Sequence, residues 1–243
     1  MTDFLSQTFP DAESAAAGLA AEFARWLTAA TEPVNVAFSG GRTPELFFLE
    51  LAREEYRKLP WERLRVFWVD ERWVPHASPQ SNFGNAWHAL FRPIGFPAER
   101  LFPMVPRADG DSQLRLESVT AAAAHYSELL RRELPLAADG VPVFDLMLLG
   151  LGVDGHTASL FPGAVLETPD ASCSATKQPV TGTPRLTLTL PVINHARHVI
   201  FLVTGAAKAA ALRAVRSGTN LPAAKVAPAA DALSWYLDAA AVG

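Results

Sequence analysis

The sequence lacks several features that mark common classes of protein. Its 243 residues include one cysteine, Cys173, which excludes an intrachain disulfide and a metal cluster built from thiolates. The N-terminus has no basic segment followed by an apolar one, and no stretch reaches the roughly 18 uncharged apolar residues of a membrane span. We therefore expect a cytoplasmic protein that makes no membrane contact.

The chain also lacks the signs of a multidomain or nucleic-acid-binding protein. It has no Ser/Gly-rich linker, no block of like charges and no internal repeat, while 49% of its residues are apolar. Residues 1–243 are therefore predicted to form one α/β domain. The net charge of −4 weighs against nucleic acid as a partner, although a few local arginines can still bind a small anionic substrate. No feature predicts an obligate protein partner.

The most informative stretch is residues 144–163, which combine a buried strand with a glycine-rich loop. Residues 144–149 are almost entirely apolar and have the length of a strand buried on both faces of a parallel sheet. Gly150, Gly152 and Gly155 follow directly, and such glycines allow a sharp turn that aims backbone N–H groups into a concavity. Because open α/β sheets bind ligands at this end of their strands, we expect the loop to line a binding site.

A dinucleotide-binding loop is one alternative, because the glycines match the spacing G-x-G-x-x-G. That fingerprint requires a long helix opening at the third glycine, whereas Pro162 and Gly163 end any helix here after hardly two turns. The loop instead carries Asp154 and His156, a carboxylate and a titratable base on one tight turn. A core histidine is the simpler interpretation, but its position in a glycine-rich loop after a buried strand favours a catalytic role for His156.

A second glycine loop follows the predicted strand over residues 34–38. It leads into a predicted helix over residues 45–58, with Thr43 as N-cap and Pro44 opening the helix. Free amides at a helix N-terminus, together with the helix dipole, bind anions, so we expect a phosphate at this loop. The loop consists of Ser39, Gly40, Gly41 and Arg42.

The same loop permits a minority alternative, a serine hydrolase. Residues 37–41 nearly match the nucleophile elbow G-x-S-x-G, with Ser39 as the nucleophile. Against this alternative, Ala37 replaces the first glycine, and the loop continues through Arg42 where an elbow begins its helix directly.

Further charged residues lie where other predicted strands begin or end. Asp70 and Arg72 directly follow a strand, so they should reach the same sheet edge as the two glycine loops. Arg185 opens a strand whose alternating pattern predicts half exposure, with threonines at its other polar positions. Lys208 lies in the first turn of a helix, where a cation opposes the dipole and indicates an anionic partner. The predicted strands concerned are residues 64–69, 185–190 and 198–204.

The remaining periodic segments are interpreted as packing elements. Alternation of strands with helices predicts an α/β fold with a mostly parallel sheet. Helices are predicted over residues 11–30, 82–91 and 111–134, and strands over residues 172–176 and 235–237.

As a set, the motifs resemble the 6-phosphogluconolactonase family. The resemblance spans about residues 34–225 and is specific through the order of its segments. It implies a Rossmann-like three-layer α/β fold, with a mostly parallel sheet flanked by helices. It also implies hydrolysis of 6-phosphogluconolactone to 6-phosphogluconate in the oxidative pentose phosphate pathway, with no cofactor and no metal ion. The matching segments are SGGRTP at 39–44, VDERWVP and SN within 69–82, GLGVDGHTASLFPG at 150–163, PRLTLTLPVIN at 184–194 and TGAAKAAAL at 204–212.

For such a reaction we expect His156 to act as the general base that takes a proton from the attacking water. Either Asp154 or Asp70 orients its imidazole, a choice that the sequence leaves open. Arg72 meets either the developing oxyanion or the phosphate. These four residues form the predicted catalytic group.

Substrate binding is predicted to rest on the phosphate of a phosphorylated sugar lactone. The loop over residues 39–42 holds this phosphate with help from Arg185 and Lys208, and thereby fixes the lactone ring over the second glycine loop. The predicted binding residues are Ser39, Gly40, Gly41, Arg42, Gly152, Arg185 and Lys208.

Two related functions are kept as alternatives. Glucosamine-6-phosphate deaminases share the glycine loop and the Asp-Gly-His motif, but continue with a Phe-Asn-Glu-Pro pattern whose glutamate supports the histidine. Phe161 occupies that position here, which favours hydrolysis. The other alternative is a sugar-phosphate-sensing domain of the kind found in bacterial regulators, against which we note the lack of a helix-turn-helix or basic segment.

Overall fold

The main sheet of the protein is parallel throughout. In this computed structural model, which describes residues 6–105, 118–229 and 232–243, the strands are β1 (Gln7–Phe9), β2 (Val34–Phe38), β3 (Leu64–Trp68), β4 (Asp70–Arg72), β5 (Leu101–Phe102), β6 (Leu146–Leu149), β7 (Cys173–Lys177), β8 (Pro184–Leu188), β9 (Val199–Val203) and β10 (Leu233–Asp238). Seven of them pair in the order β1-β10-β9-β6-β2-β3-β5. The predicted mostly parallel sheet is confirmed.

Helices flank this sheet, as the predicted α/β fold requires. They are α1 (Ala12–Ala29), α2 (Arg42–Leu51), α3 (Asn82–Ala86), α4 (Val119–Glu133), α5 (Leu190–Asn194), α6 (Ala209–Arg216) and α7 (Ala239–Val242). The Asp11 side chain caps α1 by accepting the backbone N–H of Ser14 at 2.7 Å, which satisfies one amide that the helix leaves free. α1 packs against α2 and β10.

The central strands are apolar because both of their faces are covered. Every residue of β2, β6 and β9 is buried, as expected for strands in the middle of a parallel sheet. Phe38 of β2 packs against Phe23 of α1 and Phe48 of α2, with ring centroids 6.1 and 5.4 Å away. Each such buried ring contributes about 1.5–3 kcal/mol relative to exposure, so this cluster anchors both helices on the sheet.

The order of the strands determines where a crevice forms at the edge of the main sheet. From β2 the chain continues through β3 to β5 at one edge, then returns to place β6 on the other side of β2. The loops after β2 and β6 therefore depart in opposite directions, and open α/β sheets bind ligands at such a switch point.

A second, antiparallel sheet covers this crevice. It has three strands in the order β4-β8-β7, and its register places Asp70 opposite Thr187 and Arg72 opposite Arg185. Val69 links the two sheets: it accepts the backbone N–H of Leu188 at 2.8 Å and donates its own N–H to Phe38 at 3.0 Å. The residues predicted to follow directly after a strand thus form a short strand themselves.

Helix α4 joins the two sheets through two buried hydroxyl groups. The Tyr126 hydroxyl accepts the backbone N–H of Trp68 at 3.1 Å and donates to the Phe102 carbonyl at 3.1 Å. Ser127 Oγ accepts the backbone N–H of Cys173 at 2.9 Å. These bonds satisfy backbone groups at the ends of strands from both sheets, which holds the second sheet at a fixed position over the first.

The helix predicted over residues 45–58 is wrong in its bounds. It begins at Arg42, because Gly41 adopts φ 109° as the N-cap residue and permits a direct entry into the helix. Thr43 therefore lies in the first turn instead of capping the helix. The helix ends at Leu51, and a 3₁₀ turn over Glu54–Tyr56 follows.

The strand predicted over residues 185–190 is present as β8, Pro184–Leu188, but the prediction that it is half exposed is wrong. Its polar positions are buried, with Thr187 exposed by 0% and Thr189 by 1%. Both hydroxyls are used internally: Thr187 Oγ1 accepts the backbone N–H of Ser159 at 3.2 Å, and Thr189 Oγ1 donates to the Ala171 carbonyl at 2.7 Å. The alternation reflects internal hydrogen bonding and not contact with water.

Two other differences concern the ends of elements. β1 has no counterpart among the predicted strands, and it pairs with β10 at the sheet edge. α4 begins at Val119 after the N-cap Ser118, while residues 111–117 of the predicted helix lie outside the described residues.

Candidate active site

The loops and the second sheet enclose a pocket of about 280 Å³. One side, which we call the loop wall, consists of residues 39–44, 150–161 and 204–208, which follow β2, β6 and β9. The other side, the sheet wall, consists of residues 70–72, Gln178 and Arg185 together with Asn82. Three parallel strands thus deliver their loops to one side, and the antiparallel sheet delivers side chains to the other.

A histidine–aspartate pair lies on the loop wall. His156 Nδ1 is 2.5 Å from Asp154 Oδ1, and the two side chains are 33% and 48% exposed. Since the carboxylate accepts the Nδ1 proton, Nε2 is left with its lone pair free to act as a base. Burial opposes ionisation of Asp154, but the hydrogen bond and the charge of His156 outweigh it and lower the pKa of the carboxyl below its usual value.

The backbone of the glycine loop is shaped to hold this pair. Gly152 donates its N–H to the His156 carbonyl at 2.7 Å, and a Cβ at Gly152 would overlap the His156 ring and the Asp154 carboxylate. Gly155 adopts φ 82° at the turn, and Ala158 adopts φ 52°, an unusual conformation for a residue with a side chain. The backbone hydrogen bond between Gly152 and His156 therefore holds the loop in a turn around the imidazole.

Phe161 supports the imidazole from the same loop. The two ring centroids are 4.8 Å apart, with an interplanar angle of 50°. An aromatic ring in this position fixes the imidazole by packing but cannot carry or transfer a proton.

The loop after β2 presents free amides and a cation. Gly41 is the N-cap of α2, so the first amides of the helix point toward the pocket. Thr43 Oγ1 lies 3.0 Å from Thr204 Oγ1, which ties this loop to the one after β9. Burial lowers the pKa of Lys208, and the charge of Arg42 lowers it further against the opposing effect of Asp154. Arg42 and Lys208 both line the pocket, so this wall carries two cations.

Asp70 is the second carboxylate of the pocket, and its partners differ from those of Asp154. Ser159 Oγ donates to Asp70 Oδ2 at 2.7 Å, and Asn82 Nδ2 donates to Asp70 Oδ1 at 3.2 Å. Asp70 is 6% exposed. The structure therefore places Asp154, and not Asp70, against the imidazole of His156.

Glu71 fixes the position of helix α3 beside the pocket. Its carboxylate accepts the backbone N–H groups of Arg72, Asn82 and Phe83 at 2.7, 2.8 and 2.8 Å. The Ser81 hydroxyl donates to it as well, at 3.0 Å. Burial raises the pKa of Glu71, whereas the three amides lower it. The Asn82 side chain is held next to Gly40, where any Cβ would overlap it.

Two guanidinium groups face the pocket from the sheet wall. Arg72 and Arg185 are opposite each other in the antiparallel register, and like charges in that position repel. Burial lowers the pKa of Arg185, and the neighbouring charge of Arg72 lowers it further. The Nε atoms of both arginines are buried and have no hydrogen-bond partner among the described residues. Such a pair is compensated when an anion binds between its members.

Comparison with known proteins places the chain in a family. The family model described as glucosamine-6-phosphate isomerases/6-phosphogluconolactonase matches residues 10–235. The chain belongs to this family.

Individual relatives agree along nearly the whole chain. The 6-phosphogluconolactonase of Haemophilus influenzae is 35% identical over 240 residues, covering 97% of each chain. The 6-phosphogluconolactonase of Synechocystis is 39% identical over 209 residues, covering 84% of this chain and 81% of that protein. The solved structure of 6-phosphogluconolactonase from Trypanosoma brucei matches with a TM-score of 0.84 at 27% identity, covering 99% of this chain and 98% of that one.

In this member of the family, nearly all residues predicted from the sequence as site residues meet in the pocket. Asp154 is the exception, because it lies behind His156 and contacts its ring. The predicted residues that line the pocket are Ser39, Gly40, Gly41, Arg42, Asp70, Arg72, Gly152, His156, Arg185 and Lys208.

Several pocket residues were not predicted to bind substrate. Asn82 is predicted only as the start of a helix and Thr43 only as an N-cap, although both carry polar groups into the pocket. Thr204 opens one of the matching segments but has no predicted role, and Gln178 has no sequence signal. The contact between distant loops brings Thr204 to the pocket, and the pairing of β7 with β8 brings Gln178 there.

The described residues offer no preformed metal site. No group of three or more His, Cys, Asp and Glu side chains in the described ranges is arranged to hold a metal ion. Cys173 is buried, and burial raises the pKa of its thiol to about 12, so it is not a thiolate ligand near neutral pH. None of the helices in the described ranges has the length and apolar character needed to cross a bilayer.

Proposed function

We propose that this protein hydrolyses 6-phospho-D-glucono-1,5-lactone to 6-phospho-D-gluconate, the lactonase step of the oxidative pentose phosphate pathway. The observation that carries the proposal is a histidine–aspartate pair in a pocket with cations on both walls. A lactone ester needs a base to activate water and donors to stabilise an oxyanion, while its phosphate needs positive charge. Family membership supports this assignment, since the relatives named above are 6-phosphogluconolactonases.

His156 is the general base in this mechanism. Its Nε2 takes a proton from water as the water oxygen attacks the C1 carbonyl of the lactone, and the carbonyl oxygen becomes an oxyanion. When the oxyanion collapses, the bond between C1 and the ring oxygen breaks, and the protonated imidazole gives its proton to that oxygen. Asp154 keeps the imidazole in the correct tautomer through the 2.5 Å contact at Nδ1.

We divide the cations into two groups. One group binds the phosphate of the substrate, and the other stabilises the oxyanion that develops at C1. The amides and side chain of the loop over residues 39–42, with Lys208, bind the phosphate, and Arg185 reaches it from the sheet wall. Gly152 and neighbouring loop amides lie under the lactone ring. Arg72 and these amides stabilise the oxyanion at C1.

Ring opening with deamination, the reaction of related deaminases, is not favoured. Phe161 packs on His156 in the position where the deaminase pattern carries a glutamate, so a proton relay through that position is missing. We expect no release of ammonia from glucosamine 6-phosphate.

A serine hydrolase mechanism is also not favoured. Ser39 Oγ is buried and has no hydrogen-bond partner among the described residues, whereas a serine nucleophile is activated by a hydrogen bond to its base.

The test is turnover of the phosphorylated lactone by purified protein. Because this lactone also opens spontaneously, the measured quantity is the rate above background at nanomolar protein, followed as acid release or by coupled oxidation of the product. Enzyme-dependent consumption proportional to protein concentration supports lactonase activity. Saturable binding of sugar phosphates without turnover would point to a sensing domain instead.

A further inference from the structure

We propose that Gln178 binds the substrate by donating a hydrogen bond from its amide nitrogen to an acceptor oxygen of the bound sugar phosphate. The proposal rests on the lactonase function and adds a residue that lies outside all of the catalytic and phosphate-binding motifs described above. Gln178 directly follows β7, at the start of the turn that leads to β8.

The turn determines which end of the Gln178 carboxamide is free. The backbone N–H groups of Val180 and Thr181 both donate to Gln178 Oε1, at 2.7 and 2.5 Å. Two donors that converge on one atom identify it as the oxygen, because the amide nitrogen cannot accept them. The nitrogen Nε2 is therefore the end that the turn does not use, and no described residue forms a hydrogen bond with it.

The turn after β7 places this side chain at the pocket. Gln178 lines the active-site pocket together with Arg72 and Arg185. Its neighbours Lys177 and Pro179 line a different surface concavity, so Gln178 alone of these three residues faces the active site. The donor therefore belongs to the same wall as the arginine pair.

The hairpin holds Gln178 in place before substrate binds. Gln178 donates its backbone N–H to the Thr183 carbonyl at 3.0 Å and accepts the N–H of Gly182 at 2.9 Å. The hydroxyls of Thr181 and Thr183 are 2.8 Å apart, and Gly182 adopts φ 69°. Since the carboxamide is already fixed by the turn, little side-chain entropy is lost when it binds a ligand.

A neutral donor on this wall complements the chemistry of a sugar phosphate. The substrate presents hydroxyl, ring and phosphate oxygens, all of which accept hydrogen bonds, and a planar amide N–H binds such an oxygen without adding charge. Gln178 thereby supplies directional recognition beside guanidinium groups that supply most of the attraction.

Two substitutions test this role. Gln178→Met keeps the length of the side chain but removes both the donor and the oxygen that accepts the two turn amides. Gln178→Glu keeps an acceptor for these amides while replacing the donor by a charged oxygen. We expect Gln178→Met to raise KM for the phosphorylated lactone about three- to tenfold, the loss expected for one neutral hydrogen bond, and Gln178→Glu to raise it more. In both variants kcat should change less than about threefold, because the base is untouched.

Binding of 6-phospho-D-gluconate, measured by titration calorimetry, gives a second readout that does not depend on turnover. The matched control is Thr183→Ala, which alters the same turn outside the pocket and should leave both KM and Kd unchanged.

A rise in KM and Kd with Gln178→Glu alone overturns the proposal, since a carboxylate beside Arg185 would then be responsible. Equal losses with Thr183→Ala overturn it as well, because the shape of the hairpin would explain them. A parent protein without lactonase activity defeats the proposed function, whereas the calorimetric comparison still tests Gln178.

Discussion

The two walls of the pocket present different kinds of groups because they are built from different kinds of structure. The loop wall is made of segments that each follow a parallel strand, so it offers backbone amides, the loop over residues 39–42 and the His156–Asp154 pair. The sheet wall is made of an antiparallel sheet, so it offers side chains that are held by cross-strand register, such as the Arg72–Arg185 pair. We infer that the chemistry resides mainly on the loop wall and that the sheet wall contributes mainly to selection of the substrate.

The carboxylates of the two walls show the difference most clearly. Asp154 on the loop wall is 48% exposed and contacts the imidazole of His156. Asp70 and Glu71 on the sheet wall are 6% and 1% exposed, and they accept hydrogen bonds from residues that position the second sheet and helix α3. We infer that the buried carboxylates of Asp70 and Glu71 hold structural elements in place, whereas the exposed carboxylate of Asp154 orients the imidazole of His156.

The largest expected effect comes from removing the base on the loop wall. His156→Ala should lower kcat by about 10²-fold or more, the usual contribution of a positioned general base, with a smaller change in KM. The acidic limb of the pH profile of kcat/KM, which reports protonation of the imidazole, should disappear as well. His125→Ala on α4, outside the pocket, is the control. Activity of His156→Ala within a few-fold of the parent would contradict the assignment.

The next largest effect should come from the charge on the sheet wall. Arg185→Ala should raise KM for the phosphorylated lactone by about 10- to 100-fold, corresponding to roughly 1.5–3 kcal/mol for a charge-assisted hydrogen bond. Hydrolysis of unphosphorylated gluconolactone should hardly change, because that substrate lacks the phosphate. Lys177→Ala removes an exposed cation near the same hairpin and should have no effect. Equal losses on both lactones would mean that Arg185 serves the fold or the carbonyl.

The loop wall could be predicted from the sequence because each of its parts is local. A buried apolar strand followed by glycines and a helix start is visible within about 20 residues, and parallel strands bring such segments to one edge. This is why the sequence identifies the loop over residues 39–42, His156 and Lys208 together. The same local pattern did not give the bounds of α2, since the helix start depends on the φ of Gly41.

The sheet wall could not be predicted to the same extent because its geometry depends on pairing between distant residues. Arg72 and Arg185 were identified as charges at strand ends, but nothing local indicates that they are opposite each other. The burial of Thr187 was missed for the same reason, since Ser159 from another loop covers it. Gln178 has no motif at all, and only the hairpin places it in the pocket.

A smaller effect should distinguish the carboxylates of the two walls. Asp154→Asn should lower kcat roughly tenfold, less than loss of the base itself, because the imidazole stays but its orienting partner loses its charge and can present an N–H donor to the ring in place of an acceptor. The hydrogen bond and the charge of His156 lower the pKa of Asp154, so this carboxyl is ionised near neutral pH. Removal of its charge should shift the acidic limb of kcat/KM.

The comparison variant for this prediction is Asp70→Asn, measured under the same conditions. It should leave the position of the acidic limb unchanged, because Asp70 bonds to Ser159 and Asn82 and not to the imidazole. A shift of the limb in Asp70→Asn but not in Asp154→Asn would reverse the assignment of the orienting carboxylate.

The smallest expected effect concerns Ser39, which decides whether the loop wall acts through its backbone or through a nucleophile. Ser39 is 4% exposed, and its hydroxyl has no hydrogen-bond partner among the described residues. If the hydroxyl only contacts substrate, Ser39→Ala should raise KM a few-fold, about the contribution of one neutral hydrogen bond, and leave kcat nearly unchanged. Fluorophosphonate reagents should not label the protein, because no base activates this oxygen. Stoichiometric labelling at Ser39, together with loss of turnover in Ser39→Ala, would instead establish an acyl-enzyme route and move the chemistry from His156-activated water to a serine nucleophile.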